Sequence, residues 1–473
     1  MRDIALLGIF IACIPFMLKR PSLGVIMWVW LSVMNPHRLT YGFAYGLQFA
    51  AAAAIITFLS LLISKDERRL AFTPPVIALA LFTIWMCITS LFPFHEGSGF
   101  DMWLRVMKIM LLTFVAVAVI HDKKQIHWMI WIIVFSLAFF GVKGGLFTIL
   151  HRGSFLVWGP EGSFIEGNNE VALALVMVIP LMRYVQIGLK QKWQRLAMTG
   201  VMLLTAFAAI GSHSRGALVA IAAMAAFMWW KSRNKFVMGL ALACAGLVVL
   251  SLMPAEWFAR METIGTYQED SSAQGRINAW WMAFHLASDR PLGGGFDIYD
   301  YDTFARYAPN PLDVHAAHSI YFQVLGEHGF LGLFLFVSIG AFTWMAASDG
   351  KRKAKGIAGL EWIAPMLDMM KVSMVGYAVG GAFLSLAYFD VPYYVMVIVV
   401  ATRALAVQAY KSKAPARGPI SFDRRARFGA VTLDDEIVDP VPPKPARPRG
   451  DDWRGQGAYA RPVVPFGNAE VAK

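Results

Sequence analysis

Apolar runs of about 15 to 25 residues, parted by short polar breaks, recur from residue 3 to residue 410, and each is close to the roughly 20 residues a helix needs to cross a hydrocarbon core. Runs of that length leave few folds open. They do not alternate apolar with polar residues, as the strands of a closed barrel would. The chain is therefore expected to be all-α and polytopic, with spans near 3–18, 22–34, 44–63, 75–92, 103–120, 126–150, 168–187, 195–211, 214–230, 236–253, 318–347, 366–388 and 391–410. If the first two short runs make one broken crossing, about twelve transmembrane helices result, with both ends on one side. Charged residues are only 16% of the chain, against about a quarter in a soluble domain, so lipid is the solvent for most of it.

Basic residues set the orientation. Lys65, Arg68 and Arg69; Lys123 and Lys124; Lys190, Lys192 and Arg195; Lys231, Arg233 and Lys235; and Lys351, Arg352, Lys353 and Lys355 fall in every second loop, which makes those loops cytoplasmic. The alternate loops then face the periplasm of a bacterial cell. This placement also accounts for the net charge of +12 without a nucleic-acid partner, because loop cations sit beside anionic membrane lipid. Cys13, Cys87 and Cys244 lie in separate apolar runs, which argues against a disulfide framework or thiolate metal site. Lys19-Arg20-Pro21 after the first run makes a poor signal cleavage site.

Four regions follow: an N-terminal transmembrane bundle, 1–253; a long, partly helical periplasmic loop, 254–317; C-terminal transmembrane helices, 318–410; and a tail, 411–473. The tail is rich in Pro, Arg and Asp and is expected to be disordered and cytoplasmic. The long loop crowds Arg260, Arg276, Arg290, Arg306 and His315 against His318, where the next run begins. Its clearest helical piece is Arg276 to Ser288, followed by Gly293-Gly294-Gly295.

Several residues in this region have chemistry to offer. Arg215 heads a run in Ser212-His213-Ser214-Arg215-Gly216; it can snorkel to the interface, or its fork can bind phosphate oxygens bidentately. Arg276 follows Gly275 near the expected start of the loop helix, so its side chain and that helix's free amides would face one anion together; an ordinary surface arginine is the other reading. Arg290 and Arg306 carry no positional argument beyond the surface. His318 stands where a helix enters the membrane, as a cap or as a proton-transfer group. His315 and His318 could share a metal, but a third ligand is not evident. Asp390, between the last two runs, either caps the final helix or orients an imidazole or arginine. Asn168, Asn169 and Glu170 head another run on the same side, where they would bind sugar hydroxyls or serve as an N-cap.

With these features in hand, the chain resembles the bacterial O-antigen ligase and O-antigen polymerase superfamily of integral membrane glycosyltransferases. The resemblance rests on the Ser214-Arg215-Gly216 turn, on Gly275-Arg276 ahead of an amphipathic loop helix, and on His318-Ser319 followed by Gly326-Glu327-His328-Gly329-Phe330-Leu331-Gly332. Met34-Asn35-Pro36-His37-Arg38 is also similar to a subgroup described as O-glycosylation ligases associated with exopolysaccharide and exosortase loci. The resemblance implies an O-antigen ligase of the bacterial inner membrane, moving a glycan from undecaprenyl diphosphate to a lipid A–core hydroxyl at the periplasmic face, with no cofactor and no metal. It assigns His318 as the catalytic histidine and Arg215 and Arg276 to the donor diphosphate, with Asp390 matching an acidic residue near the last helix; Asn169 and Glu170 support them. The alternatives are a polymerase or a protein O-oligosaccharyltransferase of the same superfamily. A transporter or flippase, which should carry ionisable residues near the midplane, is disfavoured because the charges here lie at span ends.

Overall fold

The computed structural model describes residues 1–95, 99–232, 234–255, 257–258 and 271–413; Arg260 and the tail beyond residue 413 lie outside them. The residues up to 413 belong to one compact unit. Among the described residues every regular element is helical. The helices are α1 (Arg2–Lys19), α2 (Pro21–Met34), α3 (Phe49–Ile63), α4 (Pro74–Ser90), α5 (Phe100–Val119), α6 (Lys123–Leu150), α7 (Asn168–Gly188), α8 (Lys192–Gly211), α9 (Arg215–Lys231) and α10 (Lys235–Leu252), then α11 (Ser271–Asp289), α12 (Tyr301–Tyr307), α13 (Ile320–Ala354), α14 (Ile363–Gly380) and α15 (Asp390–Lys413).

Local sequence explains many of the ends. Pro21 and Pro74 open α2 and α4, where a missing N–H costs nothing. Asp122 and Gln125 form a reciprocal capping box at the start of α6. The core lies around α7, whose residues 171–178 are all buried; a helix apolar on every side must be surrounded by others. It packs on α8 and α14, and the Ser373 hydroxyl of α14 donates to the Met177 carbonyl of α7 at 2.8 Å. Where α6 meets α8, Gly145 lets the backbones close, since a Cβ there would lie 2.1 Å from the Leu204 carbonyl oxygen.

Six helices are long and apolar enough to cross a membrane: α5, α6, α7, α8, α13 and α15. Pro21–Met34, Phe49–Ile63, Pro74–Ser90 and Lys235–Cys244 are apolar but shorter. The expected dozen crossings thus meet six full-length spanning helices among the described residues.

Several boundaries differ from the sequence reading, three of them near the candidate site. The run expected over 366–388 stops being α-helical at Gly380 and continues as a 3-10 segment, Gly381–Phe383. The loop helix expected at Arg276 is already formed at Ser271. Helix α13 is longer than expected and is broken at Gly329, whose φ of 68° and ψ of −174° are not helical.

Candidate functional site

The short turn Gly381–Phe383 is the hub that brings two helix starts together. A Cβ on Gly216, just after Arg215, would come within 3.0 Å of the Phe383 Cβ, and one on Gly381 would meet the Ile320 side chain at 2.5 Å. The helix that Arg215 opens and the helix that His318 precedes by two residues therefore press on the same three residues. The Tyr321 hydroxyl fastens this arrangement by donating to the Ala378 carbonyl at 2.8 Å.

Arg215 is the first residue of α9, with the Ser214 side chain accepting from the Ala217 amide at 3.2 Å as N-cap. The turn before it is buried, and His213 takes a left-handed φ of 58°. Asn168 does not cap α7, as the sequence reading allowed; Gly167 occupies that position. The Asn168 amide instead donates to the Ser212 carbonyl at 2.8 Å, tying the start of α7 to the Arg215 turn. Glu170 lies one residue beyond half-buried Asn169, close enough to Arg276 for the guanidinium to act on its carboxylate.

Arg276 sits in the second turn of α11, which is already helical at Ser271, so the expectation that its side chain and the helix's free amides face one anion together is corrected: Arg276 is not at the helix start. Gly275 lets the loop fold close: its Cβ would lie 2.7 Å from His315 Nδ1. His315 itself is engaged with Asp313 at 2.8 Å. Trp280, on the same helix, donates to the Ala317 carbonyl at 2.7 Å and stacks on Phe322 at 4.9 Å. The helix carrying Arg276 is thereby attached on both sides of His318.

His318 has a left-handed φ of 43°, a conformation that L-residues other than Asn, Asp and Gly seldom adopt and that persists where surroundings impose it. Its Nδ1 is buried and has no hydrogen-bond partner among the described residues. Burial first, and then the charges of Arg276 and His315, push its pKa down to about 4. At neutral pH the imidazole is therefore uncharged, with a lone pair available.

The other sequence candidates fall elsewhere. Asp390 is buried in the first turn of α15, accepting from the Tyr394 hydroxyl at 3.3 Å. Arg290 donates to the Phe92 carbonyl at 3.1 Å and lies over the Phe94 ring, and Arg306 lies over the same ring and beside Asp289; both hold the loop's outer packing. His95, Asp300 and Asp302 are the three-ligand grouping among the described residues, but Asp300 also caps α12 through the Thr303 amide.

Residues 200–337 match the family model described as O-antigen ligase. Over that stretch the chain is similar to the O-antigen ligase/polymerase superfamily. Residues 1–189 match a second model, a family of unknown function. No curated protein matches the chain significantly. The O-antigen ligase match takes in Arg215, Arg276 and His318, whereas Glu170 and Asp390 lie outside it.

The ligase-family segment also contains a feature that sequence reasoning missed. At the Gly329 break, the freed carbonyls of Gly326 and Glu327 accept from the Gly294 and Gly295 amides at 2.9 and 2.8 Å, and that of His328 accepts from Trp85 Nε1 at 2.8 Å. The loop's glycine triplet is thus a clamp on the broken helix. Gly293 and Gly329 both have positive φ, and a Cβ on Gly329 would lie 2.1 Å from the Pro291 carbonyl oxygen, so neither admits a side chain. The signal was present as two glycine-rich motifs; their mutual contact was not.

Proposed function

We propose that the protein is an O-antigen ligase: an inverting, metal-independent glycosyltransferase that moves a glycan from undecaprenyl diphosphate to a lipid A–core hydroxyl at the periplasmic face of the inner membrane. The observation that carries this reading is His318, uncharged and conformationally constrained, in the field of Arg276 and two residues before Ile320, which packs on the turn that the Arg215 helix also meets. The match of residues 200–337 to O-antigen ligases supports it.

In this reading the acceptor oxygen attacks the anomeric carbon while the bond from that carbon to the diphosphate oxygen breaks, its electron pair leaving with the diphosphate. Positive charge builds at the sugar and negative charge on the leaving group. Arg215 and Arg276 stabilise the latter, at about 3–4 kcal/mol for a well-placed donor. His318 accepts the hydroxyl proton. An imidazole with a pKa of about 4 is a weak base, but a bound diphosphate offsets the Arg276 charge that adds to the effect of burial, which raises its basicity in the complex. Glu170 keeps Arg276 oriented between turnovers, and Asn169 contributes a hydrogen-bonding amide at the same helix start.

The test is transfer from purified donor lipid to lipid A–core by the reconstituted protein, with chelator present and His318→Ala alongside. Core carrying glycan from wild type alone supports the ligase; lengthened lipid-linked glycan moves the assignment to polymerase, and retained anomeric configuration overturns the single displacement.

A further inference from the structure

A second polar pocket, of about 210 Å³, opens between α2, α5, α15 and the 162–164 turn, lined among others by Trp28, Ser32, Asn35, Arg105, Lys108 and Asp390. We infer that it binds a single acidic sugar, carboxylated or phosphorylated, belonging to the acceptor glycan; the acceptor part of this inference rests on the glycosyltransferase reading above.

One wall is a built hydrogen-bond chain. Trp28 Nε1 donates to the Tyr394 hydroxyl at 3.0 Å, Ser32 Oγ lies 3.2 Å from the same oxygen, and Tyr394 in turn donates to Asp390 Oδ1 at 3.3 Å. Asp390 is only 3% exposed, and a carboxylate offers about four acceptor positions, so capacity remains for ligand hydroxyls. Asn35 is fixed by its own amide, which donates to the Ser32 carbonyl at 2.7 Å and leaves its Oδ1 to accept. The opposite wall carries two cations. Arg105 and Lys108 are three apart on α5 and so share a face; both are exposed, and Arg105 is steadied over the Phe164 ring at 5.4 Å.

This combination selects its ligand. A neutral sugar would satisfy the acceptors and leave both cations unused. A diphosphate would satisfy the cations but brings no hydroxyl donors for Asn35 and Asp390. A ring bearing both hydroxyls and one oxyanion matches the two walls at once. The volume lies below the roughly 300–1,000 Å³ of clefts that hold drug-sized molecules, which suits one ring and not an oligosaccharide chain.

The experiment uses the full chain in phosphatidylcholine nanodiscs, with D-glucuronate, glucose 6-phosphate and glucose as probes in titrations followed by saturation-transfer NMR. The two acidic sugars are expected to bind at least about tenfold more tightly than glucose, a difference typical of one charge-assisted contact. Arg105→Ala and Lys108→Ala should each erase that preference, and Lys108→Arg should retain it. Equal binding of glucose, or a preference that survives both alanine variants, overturns the inference. So does phosphatidylglycerol binding that the sugars fail to displace, which would make this a lipid headgroup site, and so does loss of undecaprenyl diphosphate binding in Lys108→Ala, which would give the pocket to the donor. The two readings fail separately: acidic-sugar binding without glycan transfer by wild type sinks the transferase, while transfer with an unchanged acceptor KM in Lys108→Ala sinks the acceptor subsite.

Discussion

Helix α13 departs from regular geometry at two places only a few turns apart, and each carries a histidine. At its start, His318 is half-buried on a left-handed backbone, its Nδ1 without a partner among the described residues. At the break, His328 is wholly buried, its Nδ1 shares a 2.7 Å hydrogen bond with Thr89 Oγ1, and Phe82, Phe296 and Tyr388 ring it edge-on. The first place offers a lone pair beside a cation; the second is closed off by the loop. Each ring keeps one buried nitrogen without a partner among the described residues, Nδ1 in His318 and Nε2 in His328, so what separates the two is the nearby cation and the degree of enclosure.

Four substitutions probe that contrast, from the largest effect to the smallest. His318→Ala should lower transfer by about 10²–10⁴-fold while the thermal midpoint in detergent holds; a parallel loss of stability would make His318 a packing residue like His328. Gly329→Ala should do the opposite, costing at least about 1–3 kcal/mol for a non-glycine residue at positive φ, before the overlap with Pro291 is added, and a melting curve unchanged from wild type would refute the clamp. Arg276→Gln should raise the His318 pKa above about 4, because removing a nearby cation eases protonation of the imidazole. The acid limb of kcat/KM then moves to higher pH, and a limb that stays in place would mean burial alone sets the value. Trp280→Phe keeps the stack on Phe322 but loses the donor to the Ala317 carbonyl, worth about 0.5–1.5 kcal/mol. The effect expected is a fall in kcat of up to about tenfold, and a change confined to stability would show that the bond does not position His318.

Most of the helical layout was legible because the periodicity and length of the apolar runs are local properties. The run 168–187 became Asn168–Gly188, and 236–253 became Lys235–Leu252. The misreadings share one cause, contacts between residues far apart in sequence. The last turn of the 366–388 run is replaced by a 3-10 segment on which two other helix starts press, and nothing near Gly381 announces that. Asn168 was read as a cap because local rules favour it there; its true partner, the Ser212 carbonyl, lies 44 residues away. Of the site, the types Arg215, Arg276 and His318 could be singled out from charge at helix starts, whereas the separate pocket around Asp390 exists only because α2 and α5 are brought beside α15.

The clamp between the glycine triplet and the broken helix also constrains biogenesis. Until residues 294 and 295 return to it, α13 would present the carbonyls of Gly326 and Glu327 without donors, a costly state in hydrocarbon. The helix therefore reaches its final shape only once residues 294 and 295 have closed back on it. Because that same loop carries Arg276, whose charge acts on His318, mending the break in the helix and bringing that charge to the histidine are parts of one folding event.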